Sequence, residues 1–241
     1  MGKLVAYSGF SSSNYLQQPY NSDLDFGTGD FCVMGWAKGG NEAEALFTRE
    51  QKSPFDQDGS LLVFQNSGNY FYYIRRDGST GWDSLDTGTA YGNYWKFLTY
   101  IRKNGTIYGY TNGELKVTGS SSHNISNSDA VTTLGNRATS VSSQNFTGSL
   151  ALWRISATAP SAEQIKKIYE DEKVLFQENA QATLYGSSDA VTALAYDDDT
   201  NLLSVGTSAG RSDFSGLRRV NNTTTAVTTA ISSSNGMVVE Q

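Results

Sequence analysis

Cysteine and histidine are almost absent from this chain, which has one of each among its 241 residues, Cys32 and His123. A single cysteine cannot form an internal disulfide or supply a cysteine-rich zinc site. The single histidine lies in a Ser/Asn-rich stretch, so no Ser-His-Asp triad is predicted. Cys32 lies inside the apolar run 31–36 and is predicted to be a small buried side chain rather than a nucleophile.

Long apolar runs are also missing. No stretch of about 18 apolar residues is present, so no membrane partner is expected. Residues 1–10 lack the apolar segment of a signal peptide, and we expect synthesis in a host cytoplasm. The formal charge is −6, which excludes nucleic acid as an expected partner.

Aromatic residues and glycine are abundant, with 14 Tyr, 11 Phe, 4 Trp and 24 Gly against only 3 Pro. That composition favours short strands and tight turns. The Asn-Gly pairs 104–105 and 112–113 each lie between strand-like runs, which is the strongest local signal of a hairpin. Ten or more short strands before Pro160, with 82–93 interpreted as a long connection, predict an all-β jelly-roll sandwich.

The segment 145–173 predicts how the sandwich ends: a closing strand followed by an amphipathic helix. Ser161 and Gln164 have the spacing of a capping box, and Ile165, Ile168 and Tyr169 share one helical face. We predict a sandwich domain over 1–178 with this helix at its end. Residues 179–241 are predicted to form a β-rich extension, with strands near 190–196, 202–207 and 216–220, that packs on the sandwich or on other subunits.

Five fragments, in order, resemble the laminin-G-like members of the concanavalin A-like lectin/glucanase superfamily. They are the strand 31–36, the hairpins 95–114, Leu134-Gly135-Asn136, the closing strand 146–155 and the helix start 161–165. The segment from about 182 onward is similar to C-terminal parts of structural proteins of tailed, particularly short-tailed, phages. The resemblance implies a lectin-like domain on a virion, with other virion proteins as partners, a host-surface glycan as ligand and a homo-oligomer, such as a trimer, as the assembly.

Glycan binding needs exposed aromatic rings beside hydrogen-bonding side chains. The densest such group is Trp82, Asp83, Tyr91, Asn93 and Tyr94. An alternative interpretation of Trp82 is a loop anchor that packs back on the sandwich.

Alternate rings of the run 70–73 must face opposite sides of a strand, so two are predicted to be core and two to be available to a partner. Tyr70 and Tyr72 are the assembly candidates, together with Arg218 and Arg219, whose pair can also be ordinary surface charge.

No cofactor is required, although members of the resembled family commonly hold calcium. Asp56 and Asp58 are the candidates for Ca²⁺ ligands, with 197–199 as a second acidic turn; solvated turns are the alternative for both. Glu42, Glu44 and Glu50 flank 45–47 and are interpreted as solvent-facing, and the paired carboxylates of a glycosidase strand are missing. We therefore expect a non-enzymatic protein. The alternatives are a purely architectural capsid-decoration or tail-adaptor protein and a divergent glycan hydrolase.

Overall fold

The computed structural model describes residues 6–52, 59–78, 81–137, 144–176, 191–216, 218–226, 232–234 and 237–239. The chain folds as two compact units, Met1–Leu175 and Phe176–Gln241. The strands of the first unit are β1 Leu16–Gln18, β2 Phe31–Lys38, β3 Ala45–Gln51, β4 Leu61–Asn66, β5 Asn69–Arg75, β6 Trp82–Ala90, β7 Lys96–Lys103, β8 Thr106–Thr111, β9 Glu114–Ser120, β10 Ala130–Leu134 and β11 Ser149–Ser156. Its α-helix, α1, spans Ala162–Glu172.

The first unit is a sandwich of two antiparallel sheets. One has six strands in the order β1-β10-β3-β4-β5-β6, and the other has five in the order β11-β2-β7-β8-β9. Aromatic rings fill the core between them. Tyr72 and Tyr100 stack with centroids 4.6 Å apart, and Phe31 meets Tyr100 edge-on at 5.3 Å. The predicted all-β jelly-roll sandwich is confirmed.

Local turn chemistry explains the β7–β8–β9 meander. Asn104 and Asn112 have φ of 50° and 52°, and the glycines after them have φ of 73° and 75°. Consecutive left-handed residues are what the shortest hairpin turns require, and Asn-Gly meets that requirement at least strain. The two predicted hairpins therefore form where the sequence places them.

The segment 82–93, predicted as a connection, instead contains β6. Leu85 and Thr87 are buried while their neighbours are exposed, so β6 is a half-buried strand at the edge of the six-stranded sheet. After Trp82 its outward residues are polar or small (Ser84, Asp86, Gly88 and Ala90), so the sequence shows no clear alternation of apolar residues.

The closing strand β11 contains a bulge. Ala151 pairs with Trp36 and Arg154 pairs with Met34, so Leu152 and Trp153 together face the single residue Gly35. Leu152 has φ of 52° and is 37% exposed. Trp153 turns inward and packs against the main core.

The helix α1 begins as predicted. The Ser161 side chain accepts a hydrogen bond from the Gln164 amide at 3.2 Å, and the Gln164 side chain accepts one from the Ser161 amide at 2.8 Å. Ile165 is fully buried, and the Tyr169 ring stacks on Trp36 at 5.8 Å. The helix therefore covers part of the outer face of β2 and β7.

The second unit contains a four-stranded antiparallel sheet in sequence order: β12 Val191–Asp197, β13 Leu202–Thr207, β14 Gly210–Ser215 and β15 Arg218–Thr223. A two-stranded sheet joins β16 Ser232–Ser234 to β17 Met237–Val239. The stretch 210–213, which lies between the strands predicted near 202–207 and 216–220, is part of a further strand, β14. The connection after β13 is short, because Gly210 already pairs with Thr207.

No helix among the described residues has the length and apolar character needed to cross a membrane.

Candidate glycan-binding site

The outer face of the six-stranded sheet carries a second apolar cluster, separate from the main core. It consists of Ala45, Leu62 and Phe64, with Tyr73 and Trp82 packed against them. Alternation along each strand produces this face, because residues between the core-facing ones must point away from the core. Ala45, Leu62 and Phe64 are buried, whereas the rings of Tyr73 and Trp82 are partly exposed and form the accessible part of this face.

Tyr73 is at the centre of this cluster. Its ring stacks on Phe71 at 5.6 Å and meets Trp82 and Phe64 edge-on at 6.0 Å and 6.3 Å. The Tyr73 hydroxyl accepts a hydrogen bond from the Asn66 side-chain amide at 2.9 Å. Burial raises the pKa of Tyr73 above its ordinary value of 10.0. The hydroxyl is therefore a neutral hydrogen-bonding group beside the rings.

A pocket of about 180 Å³ opens on this face. Its lining residues are Leu62, Phe64, Tyr73, Trp82, Arg137 and Gln144. The rings come from β4, β5 and β6, whereas Arg137 and Gln144 follow β10 in the chain. The pocket thus combines an aromatic floor with polar side chains, which is the combination that binds a sugar ring and its hydroxyls.

A buried ion pair fixes the polar side of the pocket, which is formed by Arg137 and Gln144. Arg137 donates from Nε to Oε1 of Glu50 at 2.8 Å and from Nη2 to Oε2 at 2.7 Å. Arg137 Nη1 donates to Oε1 of Gln144 at 3.3 Å. Glu50 is fully buried and Arg137 is 7% exposed, so the carboxylate neutralises the guanidinium within the wall. The prediction that Glu44 and Glu50 face solvent is wrong, because both are buried.

The structure does not bring the five predicted glycan-contact residues together. Trp82 lines the pocket, but Tyr91 follows the other end of β6. Arg75 and Asn69, the β5 partners of Trp82 and Ala90, are six residues apart, which corresponds to about 20 Å at the usual rise per residue. The Tyr91 hydroxyl donates to Glu42 at 2.9 Å, and its ring meets Tyr70 edge-on. Asn93 and Tyr94 are exposed, Tyr94 by 77%.

Asp83 points away from the pocket. Its carboxylate accepts a hydrogen bond from Nε of Arg76 at 2.8 Å and lies 3.5 Å from Nε2 of His123. Nδ1 of His123 in turn contacts the carboxylate of Asp77, and this contact lowers the pKa of Asp77. Asp83 therefore belongs to a cluster of charged side chains at the end of the sandwich.

Tyr70 and Tyr72, which were predicted as assembly candidates, cannot have that role. Both are fully buried in the main core, so neither ring can contact a partner. The predicted alternation is present, but Phe71 and Tyr73 are the outward pair.

Of the other assembly candidates, Arg219 lies with its guanidinium carbon 5.8 Å from the Phe214 ring centroid. The side chain of Arg218 is outside the described residues, although its backbone pairs with Ser215. An assembly role for this pair stays a prediction.

Asp56 and Asp58, the predicted calcium ligands, lie outside the described residues. Asp197 accepts hydrogen bonds from Thr200 Oγ1 and the Asp199 amide, which are bonds of its own turn. Within the described ranges, no three His, Cys, Asp or Glu side chains come together as metal ligands.

The sequence reasoning missed Phe64, Tyr73, Arg137 and Gln144. The continuous apolar runs 61–64 and 70–73 could have identified the first two, because alternate side chains of such a strand must point away from the core. Arg137 gives no local signal, because its partner Glu50 is 87 residues away in the chain.

Comparison with known families gives the assignment. The model of the concanavalin A-like lectin/glucanases superfamily matches residues 10–166, more than half of the chain. The chain belongs to this superfamily. Among curated protein sequences, none matches the chain.

Solved structures of the superfamily fold resemble the chain at low identity. The CBM40 module of a Ruminococcus gnavus IT-sialidase matches with a TM-score of 0.57 and 15% identity, over 70% of this chain and 97% of that module. The same module, bound to α2,3 sialyllactose, matches with a TM-score of 0.52.

The binding domain of Paraclostridial Mosquitocidal Protein 1 matches with a TM-score of 0.54 and 12% identity, over 87% of this chain and 57% of that domain. The binding domain of botulinum neurotoxin DC, solved with rat synaptotagmin II, matches with a TM-score of 0.51 and 14% identity, over 87% of this chain and 55% of that one. At these identities the likeness establishes the fold alone.

Proposed function

We propose that this protein is a non-catalytic glycan-binding protein and that the pocket beside Tyr73 and Trp82 is its binding site. The observation that carries the proposal is the four-ring aromatic cluster on the outer sheet face, with a polar wall beside it. The solved CBM40 module, which has the same fold, is described with a bound sialylated sugar. That similarity supports glycans as the class of ligand.

A divergent hydrolase is the less favoured function. A retaining glycosidase needs two carboxyl groups about 5–5.5 Å apart and accessible to the sugar. Glu50 is the carboxylate beside this pocket, and it is buried with both oxygens bonded to Arg137. A carboxylate held this way can neither attack a sugar nor donate a proton to it.

A glycan array probed with the full chain, followed by calorimetry on the best ligand, tests the binding proposal. We expect Trp82→Ala and Tyr73→Ala each to weaken binding at least tenfold, or about 1.4 kcal/mol. The matched control is Tyr94→Ala, which removes an exposed ring outside the pocket and should change affinity less than twofold. A loss caused by Tyr94→Ala but not by the pocket variants would contradict the proposal.

The biological setting is also proposed. The similarity of residues 182–241 to structural proteins of tailed phages supports a place on a virion surface or tail appendage, with this extension used for oligomeric assembly. Mass spectrometry of purified particles tests it, and absence from the particles would refute it. Presence in particles together with no binding to any glycan would favour the architectural alternative.

A further inference from the structure

A second depression, of about 610 Å³, lies between α1, the end of β6 and the β8–β9 turn. Gly113 allows α1 to approach the β8–β9 turn closely, because it has no side chain. A Cβ on Gly113 would lie 3.1 Å from Lys166 Cα and 3.2 Å from Tyr169 Cβ. The sequence therefore places α1 directly on the turn, and the groove opens beside that contact. We refer to it as the helix groove.

The helix groove has an excess of positive charge. Its lining contains four lysines, Lys96, Lys116, Lys166 and Lys173, but only two carboxylates, Glu114 and Glu170. This excess is opposite in sign to the chain as a whole, whose formal charge is −6.

The two carboxylates do not balance the four lysines. Lys116 pairs with Glu114 at 2.7 Å, and Lys173 pairs with Glu170. Lys96 on β7 and Lys166 on α1 form no ion pair with any carboxylate of the described residues, although Lys166 helps, after Lys116, to lower the pKa of Glu114. Two positive charges thus remain in excess, and an anion placed in the groove reduces the repulsion between the ammonium groups.

A rigid ring lies beside these charges. Tyr169 stacks on Trp36 at 5.8 Å and on Phe97 at 6.3 Å, and Nζ of Lys173 is 5.5 Å from its ring centroid. Thr89 and Thr111, linked by an Oγ1–Oγ1 hydrogen bond of 3.2 Å, also line the groove. A fixed aromatic ring and hydroxyl groups suit a sugar, and the lysines suit a negatively charged substituent.

We propose that the helix groove is a second saccharide site, selective for sugars that carry carboxylate or sulfate groups. Its volume is within the range of about 300–1,000 Å³ typical of small-molecule sites. The negative charge elsewhere on the chain disfavours long polyanions such as nucleic acid. This site shares no lining residue with the aromatic pocket, so the two proposals stand independently.

Calorimetry on the full chain tests the proposal with four probes: hexagalacturonate, a heparin hexasaccharide, neutral maltohexaose and pyrophosphate. We expect at least one acidic hexasaccharide to bind, more weakly as ionic strength rises. The variant K96Q/K166Q should weaken that binding at least tenfold. The control K167Q removes the same charge from the same helix outside the groove, where Lys167 pairs with Asp171, and should change affinity less than twofold.

Four outcomes would overturn the proposal. The first is that neither acidic hexasaccharide binds, and the second is that maltohexaose binds as tightly as the acidic probes. The third is that pyrophosphate binds as tightly as the acidic hexasaccharides, which would indicate a site without selectivity for saccharides. The fourth is equal loss in K167Q and in K96Q/K166Q, which would indicate diffuse surface charge. Trp82→Ala distinguishes the two sites: loss of acidic-saccharide binding in K96Q/K166Q but not in Trp82→Ala assigns the ligand to the helix groove, and the reverse result assigns it to the aromatic pocket.

Discussion

Arg137 and Glu50 form a buried ion pair in which two guanidinium nitrogens meet both carboxylate oxygens, at 2.7 and 2.8 Å. The pair connects β3 to the segment after β10 and forms the wall of the aromatic pocket. Removing one partner of such a pair leaves a buried charge without compensation.

Glu50→Ala should therefore lower the free energy of unfolding by about 3–5 kcal/mol. Urea unfolding followed by tryptophan fluorescence measures this in the first unit alone, because all four tryptophans lie there. Glu114→Gln is the control, since Glu114 is mostly exposed in its pair with Lys116 and its loss should cost less than about 1 kcal/mol. Equal effects of the two substitutions would contradict the structural role given to the pair.

Gly35→Ala should destabilise the sandwich by about 1–3 kcal/mol through overpacking. A Cβ at residue 35 would lie 2.5 Å from Cδ2 of Trp153, whose indole nitrogen donates to the Trp36 carbonyl at 3.0 Å. Thermal and urea unfolding measure the change. Gly92→Ala is the matched control, because nothing lies within 4 Å of its Cβ position, and it should be nearly neutral. An unchanged midpoint for Gly35→Ala would contradict the packing of Trp153.

Cys32 should resist thiol reagents in the folded protein. Burial raises the pKa of its thiol from 9.0 to about 12, and the side chain is 2% exposed. An aromatic disulfide reagent at pH 8 should leave the native thiol unmodified and react fully in urea. Rapid reaction of the native protein would contradict the burial of Cys32.

The same shift of the Cys32 pKa predicts a pH dependence. The unfolded thiol ionises first as pH rises, so stability should fall above pH 9 at up to ~1.4 kcal/mol per pH unit from this group. Cys32→Ala should lose that part of the slope. An identical slope in both proteins between pH 9 and 10 would show that the thiol pKa is not raised.

Asp77 should titrate below its ordinary range because of its hydrogen bond to His123. A carboxyl group with a lowered folded-state pKa stabilises the fold above its unfolded pKa, and this contribution disappears as pH falls through the folded pKa. Carbon-detected NMR titration of the Asp77 carboxyl measures the shift. His123→Gln should raise the Asp77 pKa, whereas an unchanged titration would show that the histidine has no influence on it.

Elements set by short-range chemistry could be predicted from the sequence. The Asn-Gly hairpins and the Ser161–Gln164 capping box formed as expected, because the interactions that define them lie within a few residues. The strand β6 was missed because its exposed residues are mostly polar. Its buried residues are stabilised only by packing against strands that are distant in the sequence. Of the aromatic pocket, the sequence identified Trp82 but not Tyr73 or Arg137. Their roles depend on strand order and on a contact across 87 residues.

The bulge in β11 has a genetic consequence. Two residues of β11 occupy the place of one opposite Gly35, and Leu152 is the residue with left-handed backbone. Loss of the Leu152 codon would leave a regular strand in which Leu150 and Trp153 still face inward and Arg154 still faces α1. At a position of a core strand that has no bulge, the same three-nucleotide deletion would turn the rest of that strand to the opposite face. At Leu152 the closing strand can therefore lose one codon while the side chains of the core keep their places.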